Sequence, residues 1–361
     1  MSNATPESAS IDRAGCVREG EELDVAAVGA WLQAQGVELR GTPKVTQYSG
    51  GASNWTYRIE YDNRDLILRR PPSGTKAKSA HDMNREYSVQ KALQPVFPAV
   101  ANMVGLCRDE SVIGSEFYVM DRIVGMIPRR NLPPGVTLTP AQARQMCLNI
   151  VDKLIELHGV DWQAAGLDKL GKGSGYAKRQ IDGWCDRWEK ARTWNVMPGR
   201  DIMRWLKANT PEDVATCVIH NDWRLDNIVF DAQDPTRVIG VLDWEMATLG
   251  DPLMELGTTL AYWAQADDDR FIKSMRRQPT QLPGMLTRQE IVDYYCAKTG
   301  LQPKNWAFYE IYGLFRLAVI IQQIYYRYHH KQTRNPAFKQ FWLLANYLIW
   351  RSRKLMRQSL R

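Results

Sequence analysis

The stretch Cys217–Met246, CVIHNDWRLDNIVFDAQDPTRVIGVLDWEM, constrains this chain more than any other part of it. Two apolar runs, Cys217–Ile219 and Val238–Leu242, each lead to a carboxylate at a strand-like end, Asp222 and Asp243, with a third run, Ile228–Phe230, between them. Asp231, Asp234 and Pro235 mark the turn-rich excursion separating the second run from the third. A β-hairpin whose polarity is only turn chemistry accounts for part of this pattern. It does not account for a second carboxylate on its own apolar run.

The polar positions have a definite spacing. His220, Asp222 and Asn227 form H-x-D-x-x-x-x-N, with Asp243 following. Phosphoryl transfer needs such a set, because a carboxylate must hold the acceptor hydroxyl while an amide oxygen and a second carboxylate hold Mg²⁺ on the nucleotide. The spacing resembles the catalytic loop and metal-binding Asp of kinases.

The rest of the chain bounds what can surround this stretch. With 361 residues, 44% hydrophobic and 24% charged, there is material for two or three core-bearing units of an ordinary globular protein. Six scattered cysteines without a C-x-x-C pair suggest neither a zinc cluster nor a disulfide framework, and fit a reducing cytoplasm. The first twenty residues lack the basic and apolar regions of a signal peptide and read as a polar tail. No apolar run reaches the roughly 18–20 residues of a membrane span. From Lys273 onward, sixteen Lys and Arg face only Glu290, Asp293 and Glu310, within a formal net charge of +7. That bias fits either a solvated helical surface or attraction for an anionic substrate, lipid or nucleic acid. No nucleic-acid-binding motif accompanies it, so no nucleic-acid partner is expected.

Taken in order, Glu21–Gln35 has the periodicity of a short helix with Gly36 as its stop. Lys44–Arg70 reads as a strand and a hairpin turning at Asp62-Asn63. Gly50, Gly51, Ser53 and Asn54 sit between strand runs, where backbone N–H groups could meet phosphate oxygens, although a plain hairpin loop also explains two glycines. Arg69 ends the next strand, where a kinase places its phosphate-holding Lys, and Glu86 lies on the helix predicted over His81–Leu93, where a kinase places that cation's partner. Met120, Asp121 and Ile123 fall where a hinge would present backbone groups to adenine. Helical patterns dominate from Leu138. Thr139-Pro140-Ala141-Gln142 is a capping box, His158 a helix-end structural histidine, and Asp251-Pro252 a further helix start. Gly166–Lys172 fits G-x-x-x-x-G-K but puts Gly173 at the metal-binding hydroxyl position, and reads as a linker.

Together GGASNWTYRIEY, LILRRPP, REYSVQKAL, FYVMDRIVG, VIHNDWRLDNIVF and VIGVLDWEMATLGDPLMELG resemble the aminoglycoside phosphotransferase, or choline kinase-like, family. The nearest subgroup is the kinase domains fused to acyl-CoA dehydrogenases. The resemblance implies an α+β, protein-kinase-like two-lobed fold: an N-lobe antiparallel sheet plus helix over 21–120, and a larger, mainly helical C-lobe over 121–361. It implies a kinase that uses ATP and Mg²⁺ to phosphorylate a small-molecule hydroxyl acceptor. Asp222 becomes the hydroxyl-orienting carboxylate, Asn227 and Asp243 the metal ligands, His220 a loop-organising residue, and Arg224 a cation for the moving phosphoryl group. Arg69 departs from the usual Lys, and Asn221 from the Gly common before the catalytic Asp. The basic C-terminal quarter favours an anionic or neutral acceptor over a polycationic aminoglycoside. An antibiotic phosphotransferase, or a pseudokinase acting as an interaction module, is the alternative.

Overall fold

The computed structural model describes residues 11–48, 54–72 and 82–359, and the chain forms two compact units. One runs through Leu138 and adds Gln163–Leu167 and Leu225–Met246; the other holds Thr139–Trp162, Asp168–Arg224 and Ala247 onward.

The first unit is built on a five-stranded antiparallel sheet. Its strands are β1 (Lys44–Gln47), β2 (Trp55–Glu60), β3 (Asp65–Arg70), β4 (Met103–Cys107) and β5 (Phe117–Asp121), in the order β1-β2-β3-β5-β4. Both faces are covered at β3 and β5, and alternation sorts their apolar residues between two cores. Leu66 and Leu68 of β3, with Phe117 and Val119 of β5, pack with Val28 and Leu32 of helix α1 (Val25–Ala34). Ile67, Tyr118 and Met120 face the other way, with Met83 of helix α2 (Met83–Leu93). Asp24 and Asp82 cap these helices by accepting from Ala27 N and Arg85 N.

Two features mark where the first unit begins and ends. Within the predicted polar tail, Ile11 bridges Met126 and Gly15 bridges Gln47, so backbone pairing holds residues after position 10 to this unit. The unit also extends past 120 and takes in the hairpin of β7 (Ile228–Phe230) and β8 (Val238–Val241). Met126 and Phe230 exchange backbone hydrogen bonds of 2.7 and 2.8 Å, Val241 N donates to Ala99 O at 2.7 Å, and the fully buried Trp244 packs edge-on against Phe97. Those contacts tie the hairpin to the sheet's unit.

The second unit is mainly helical. Its helices are α3 (Pro140–His158), α4 (Tyr176–Ala191), α5 (Arg200–Ala208), α6 (Pro252–Ala261), α7 (Arg270–Met275), α8 (Arg288–Thr299), α9 (Trp306–His329) and α10 (Phe341–Ser359). Strands β6 (Cys217–Ile219) and β9 (Thr248–Gly250) pair antiparallel. The Thr139–Gln142 capping box forms at the start of α3, and Asp251 caps α6 through Met254 N. Helix α4 buries Trp184 and Trp188 in the core. Among the described residues no helix is long and apolar enough to cross a membrane.

Helices α6 and α9 meet where neither has a side chain. A Cβ at Gly313 would lie 2.1 Å from Gly257 O, and one at Gly257 would lie 2.4 Å from Tyr309 O, so the two backbones touch directly. Both obstacles are backbone atoms, which cannot rotate away. Gly313→Ala should therefore destabilise the protein by about 1–3 kcal/mol through overpacking. Urea unfolding should show a lower midpoint with an unchanged slope, and a wild-type midpoint would show that the helices separate without cost.

Candidate active site

Strand alternation decides the first half of the site. Leu66 and Leu68 point to the α1 core, so Arg69 shares the α2 face with Ile67, and Arg69 pairs in register with Tyr118. On α2 the buried positions are Met83, Glu86, Val89, Gln90 and Leu93, which puts Glu86 on the stripe facing the sheet. Arg69 Nη1 donates to Glu86 Oε1 at 2.6 Å, and Tyr118 Oη donates to the same oxygen at 2.8 Å. Arg69 and Glu86 are 8% and 2% exposed, so neither charge could be held there without the other. Burial raises the Glu86 carboxyl above its ordinary range, with Arg69 pulling it back. Burial also opposes the charge on Arg69, but Glu86, Tyr118, Asp243 and Glu245 outweigh it and hold the guanidinium well above its usual range.

The guanidinium reaches further than one partner. Its Nη1 and Nη2 donate to Asp243 Oδ1 at 3.3 and 3.2 Å, and Nη2 lies 3.9 Å from Glu245 Oε2. A planar fork can face two carboxylates at once, whereas an ammonium is a single point charge. This geometry accounts for Arg where the resemblance expects Lys. Asn54 Nδ2 donates to Glu245 Oε2 at 3.3 Å, and Arg85 Nη1 to Glu245 O at 3.0 Å, so Glu245 is part of the same polar cluster.

Asn227 and Asp243 come together through β7 and β8. Ile228 pairs with Val241, and Leu242 N donates to Asn227 O at 2.8 Å, which leaves Asp243 one residue beyond that bond. Asp243 has φ +65°, a left-handed conformation uncommon outside Gly. An amide and a carboxylate at adjacent strand ends are hard oxygen donors of the kind Mg²⁺ takes alongside phosphate and water. The donor set fits that ion. The hinge candidates are more ordinary: Met120 lies in the α2-side core, Asp121 Oδ2 accepts from Asn102 at 2.6 Å, and Ile123 packs beside Gly240. Gly50, Gly51 and Ser53 lie outside the described residues.

The second unit holds His220, Asp222 and Arg224. His220 is fully buried, its Nδ1 accepting from Asp222 N at 3.3 Å and its ring edge-on to Trp223. Arg224 Nε lies 3.1 Å from Asp222 Oδ1, with the guanidinium 5.0 Å above the Tyr262 ring.

Glu255, in the first turn of α6, is a residue the sequence reading missed. Its Oε2 accepts from His220 N at 3.1 Å and its Oε1 from Asn221 N, so one carboxylate takes two consecutive peptide N–H groups. His158 Nε2 lies 2.7 Å from Glu255 Oε2, and His158 Nδ1 lies 2.7 Å from Tyr295 Oη. The predicted helix-end histidine thus supports the carboxylate that holds the loop. Sequence carries only a faint signal for this: a Glu shortly after an N-cap, which reads as dipole compensation.

The buried pair in the first unit makes a testable asymmetry. Arg69→Met should cost about 3–5 kcal/mol, because it leaves Glu86 buried without its cation, while the double variant Arg69→Met/Glu86→Leu should regain most of that loss. Equilibrium unfolding of the three proteins checks it. A double variant as unstable as the single would show that the pair is not the source.

The model for the phosphotransferase enzyme family matches residues 44–290. Mouse acyl-CoA dehydrogenase family member 11 is 34% identical over 319 residues, covering 85% of this chain and 40% of that protein. Mouse member 10 is 35% identical over 294 residues, covering 81% and 27%. The chain therefore spans well under half the length of these relatives. A crystal structure of a candidate aminoglycoside phosphotransferase from Ralstonia eutropha superposes with a TM-score of 0.79 at 29% identity, covering 93% of this chain and 99% of that one. Choline kinase from Cryptosporidium parvum shares the fold at a TM-score of 0.60 and 11% identity, covering 88% and 90%. The strand order, the Arg69–Glu86 pair and the match over residues 44–290 lead to one conclusion: the chain belongs to the phosphotransferase enzyme family.

Proposed function

We propose that this phosphotransferase is an ATP-dependent small-molecule kinase that moves the γ-phosphoryl group to the hydroxyl of an anionic or neutral acceptor. The observation that carries the reading is the pairing of β7 with β8, which brings Asn227 and Asp243 to one end of a hairpin, with Arg69 joining Asp243 to Glu86. Asn227 and Asp243 would hold Mg²⁺, which when bound neutralises charge on the nucleotide's phosphate oxygens. Arg69, kept in place by Glu86, supplies a fixed positive charge for phosphate. Asn54 and the backbone of Gly50, Gly51 and Ser53 would meet the phosphates, and Met120, Asp121 and Ile123 the adenine.

Asp222 accepts a hydrogen bond from the acceptor hydroxyl and aims its lone pair at phosphorus for in-line attack. Its backbone is fixed through His220, whose imidazole accepts from Asp222 N. Arg224, beside Asp222, would supply positive charge for the transferred group.

The acceptor side supports an anionic or neutral alcohol. From Lys273 onward bases outnumber acids sixteen to three, the reverse of what a polycation needs. Among anionic alcohols we place hydroxy acids and hydroxyacyl-CoAs first, since the mouse relatives at 34–35% identity carry acyl-CoA dehydrogenase names.

ADP release from MgATP, screened against hydroxy acids, hydroxyacyl-CoAs, amino alcohols and aminoglycosides, tests the reading. Turnover should appear with an anionic or neutral alcohol and fall by at least about a thousandfold in Asp222→Ala. Kanamycin turnover near about 10 s⁻¹, the usual enzyme median, would refute the acceptor assignment.

A further inference from the structure

We propose that Asn221 is a positioning residue for Asp222, latched through its side chain to Tyr176 and through its carbonyl to Arg316, so that the Asp222 carboxylate is held in one orientation. The inference rests on the reading of Asp222 as the hydroxyl-orienting group. Asn221 has φ +66°, where a side chain costs steric energy that Gly does not incur. The backbone alone thus favours Gly, and Asn needs a reason beyond tolerance of the left-handed region.

The reason lies in its amide. Tyr176 Oη donates to Asn221 Oδ1 at 3.1 Å, a bond that Gly cannot accept. Tyr176 is itself firmly placed. Its N–H and that of Ala177 both donate to Asp213 at 2.8 Å, which caps α4 where Gly175 has no side chain to do so. Its ring lies over Gly250, close enough that a Cβ there would approach it to 3.0 Å. Burial raises the phenol well above its usual range, so it remains a neutral O–H donor.

The other atoms of the same residue are held from different elements. Arg316 of α9, 5% exposed, donates from Nη2 to Asn221 O at 3.1 Å, with its guanidinium 5.3 Å from the Trp184 ring. Glu255 of α6 takes the Asn221 N–H. Three helices, α4, α6 and α9, therefore grip one residue at its side chain, its N–H and its C=O. That residue directly precedes Asp222. A displacement of about 1 Å at a reacting group is enough to cost a hundredfold in rate, so such a grip has a direct catalytic use.

The test compares Asn221→Gly, Tyr176→Phe and their double variant with wild type, using Asp222→Asn as the control. Gly suits the left-handed backbone and Phe keeps the ring, so both variants remove the latch without forcing a new conformation. Two readouts are taken: hydrogen exchange of peptides covering residues 217–224, and ADP release from MgATP with water as acceptor. Each single variant should exchange the loop amides about tenfold faster and lose about tenfold in kcat, with KM for ATP within about twofold. The double variant should be no worse than either single. Wild-type exchange in both singles, losses that multiply in the double, or a rate loss that follows melting temperature instead of loop exchange would each overturn the latch. If Asp222→Asn turns over ATP like wild type, the role given to Asp222 falls, and the exchange result still decides whether the latch exists.

Discussion

A guanidinium in a nearly dry place demands carboxylates, and Arg69 sits in such a place. Period-two alternation sends it to the same face of β3 as Ile67, into the core under α2, where an isolated charge would be prohibitively costly. Glu86 must then come from the helix, and Asp243 and Glu245 from the turn after β8. One charge thereby links the sheet register, the rotation of α2 and the attachment of the β7–β8 hairpin. Tyr118, opposite Arg69 in the sheet, completes the set by donating to Glu86. The residues proposed to face phosphate in this unit are thus specified by electrostatic necessity as much as by hydrophobic packing.

Two residues of the chain's central stretch, Asn221 and Asp243, adopt left-handed conformations, and each adjoins or is a proposed reacting group. Such positions cost of order 1–3 kcal/mol and persist only where surrounding contacts over-determine them. At Asn221 those contacts are the bonds to Glu255, Arg316 and Tyr176. At Asp243 they are the Arg69 fork and the Leu242–Asn227 backbone bond immediately before it. In both units a short strand ends in a sharp reversal, and charged or strongly polar groups from elsewhere hold the reversal.

How much of this was legible depended on the range of the signal. The caps at Thr139 and Asp251, the hairpin at Asp62-Asn63 and the H-x-D-x-x-x-x-N spacing are local, and each was readable because the residues that define it lie within a few positions. Arg69 and Glu86 were readable only by position relative to those motifs, since nothing in REYSVQKAL marks its Glu as buried. Glu255 was not readable. Its partners lie 35 and 97 residues away, and one of them, His220 N, is a backbone atom with no sequence signature. The backbone pairing of Ile11 and Gly15 was hidden for the same reason, since a bridge is made by peptide groups that any polar tail also carries.

This contrast explains why donor chemistry is easier to infer than acceptor identity. Phosphate and Mg²⁺ are the same in every enzyme of this kind, so the groups that meet them can be specified by a short, repeated spacing. The acceptor differs, and the residues that hold Asn221, directly before Asp222, come from helices α4, α6 and α9, widely separated in the chain. Tyr176, Tyr262 and Arg316 are each unremarkable in sequence, and acquire meaning only when α4, α6 and α9 are packed. Close contact of α6 and α9 at Gly257 and Gly313 is what permits that packing, because any side chain there would separate the helix carrying Glu255 from the helix carrying Arg316. The surroundings of the proposed Asp222 site therefore depend on helix packing, which the two glycines permit.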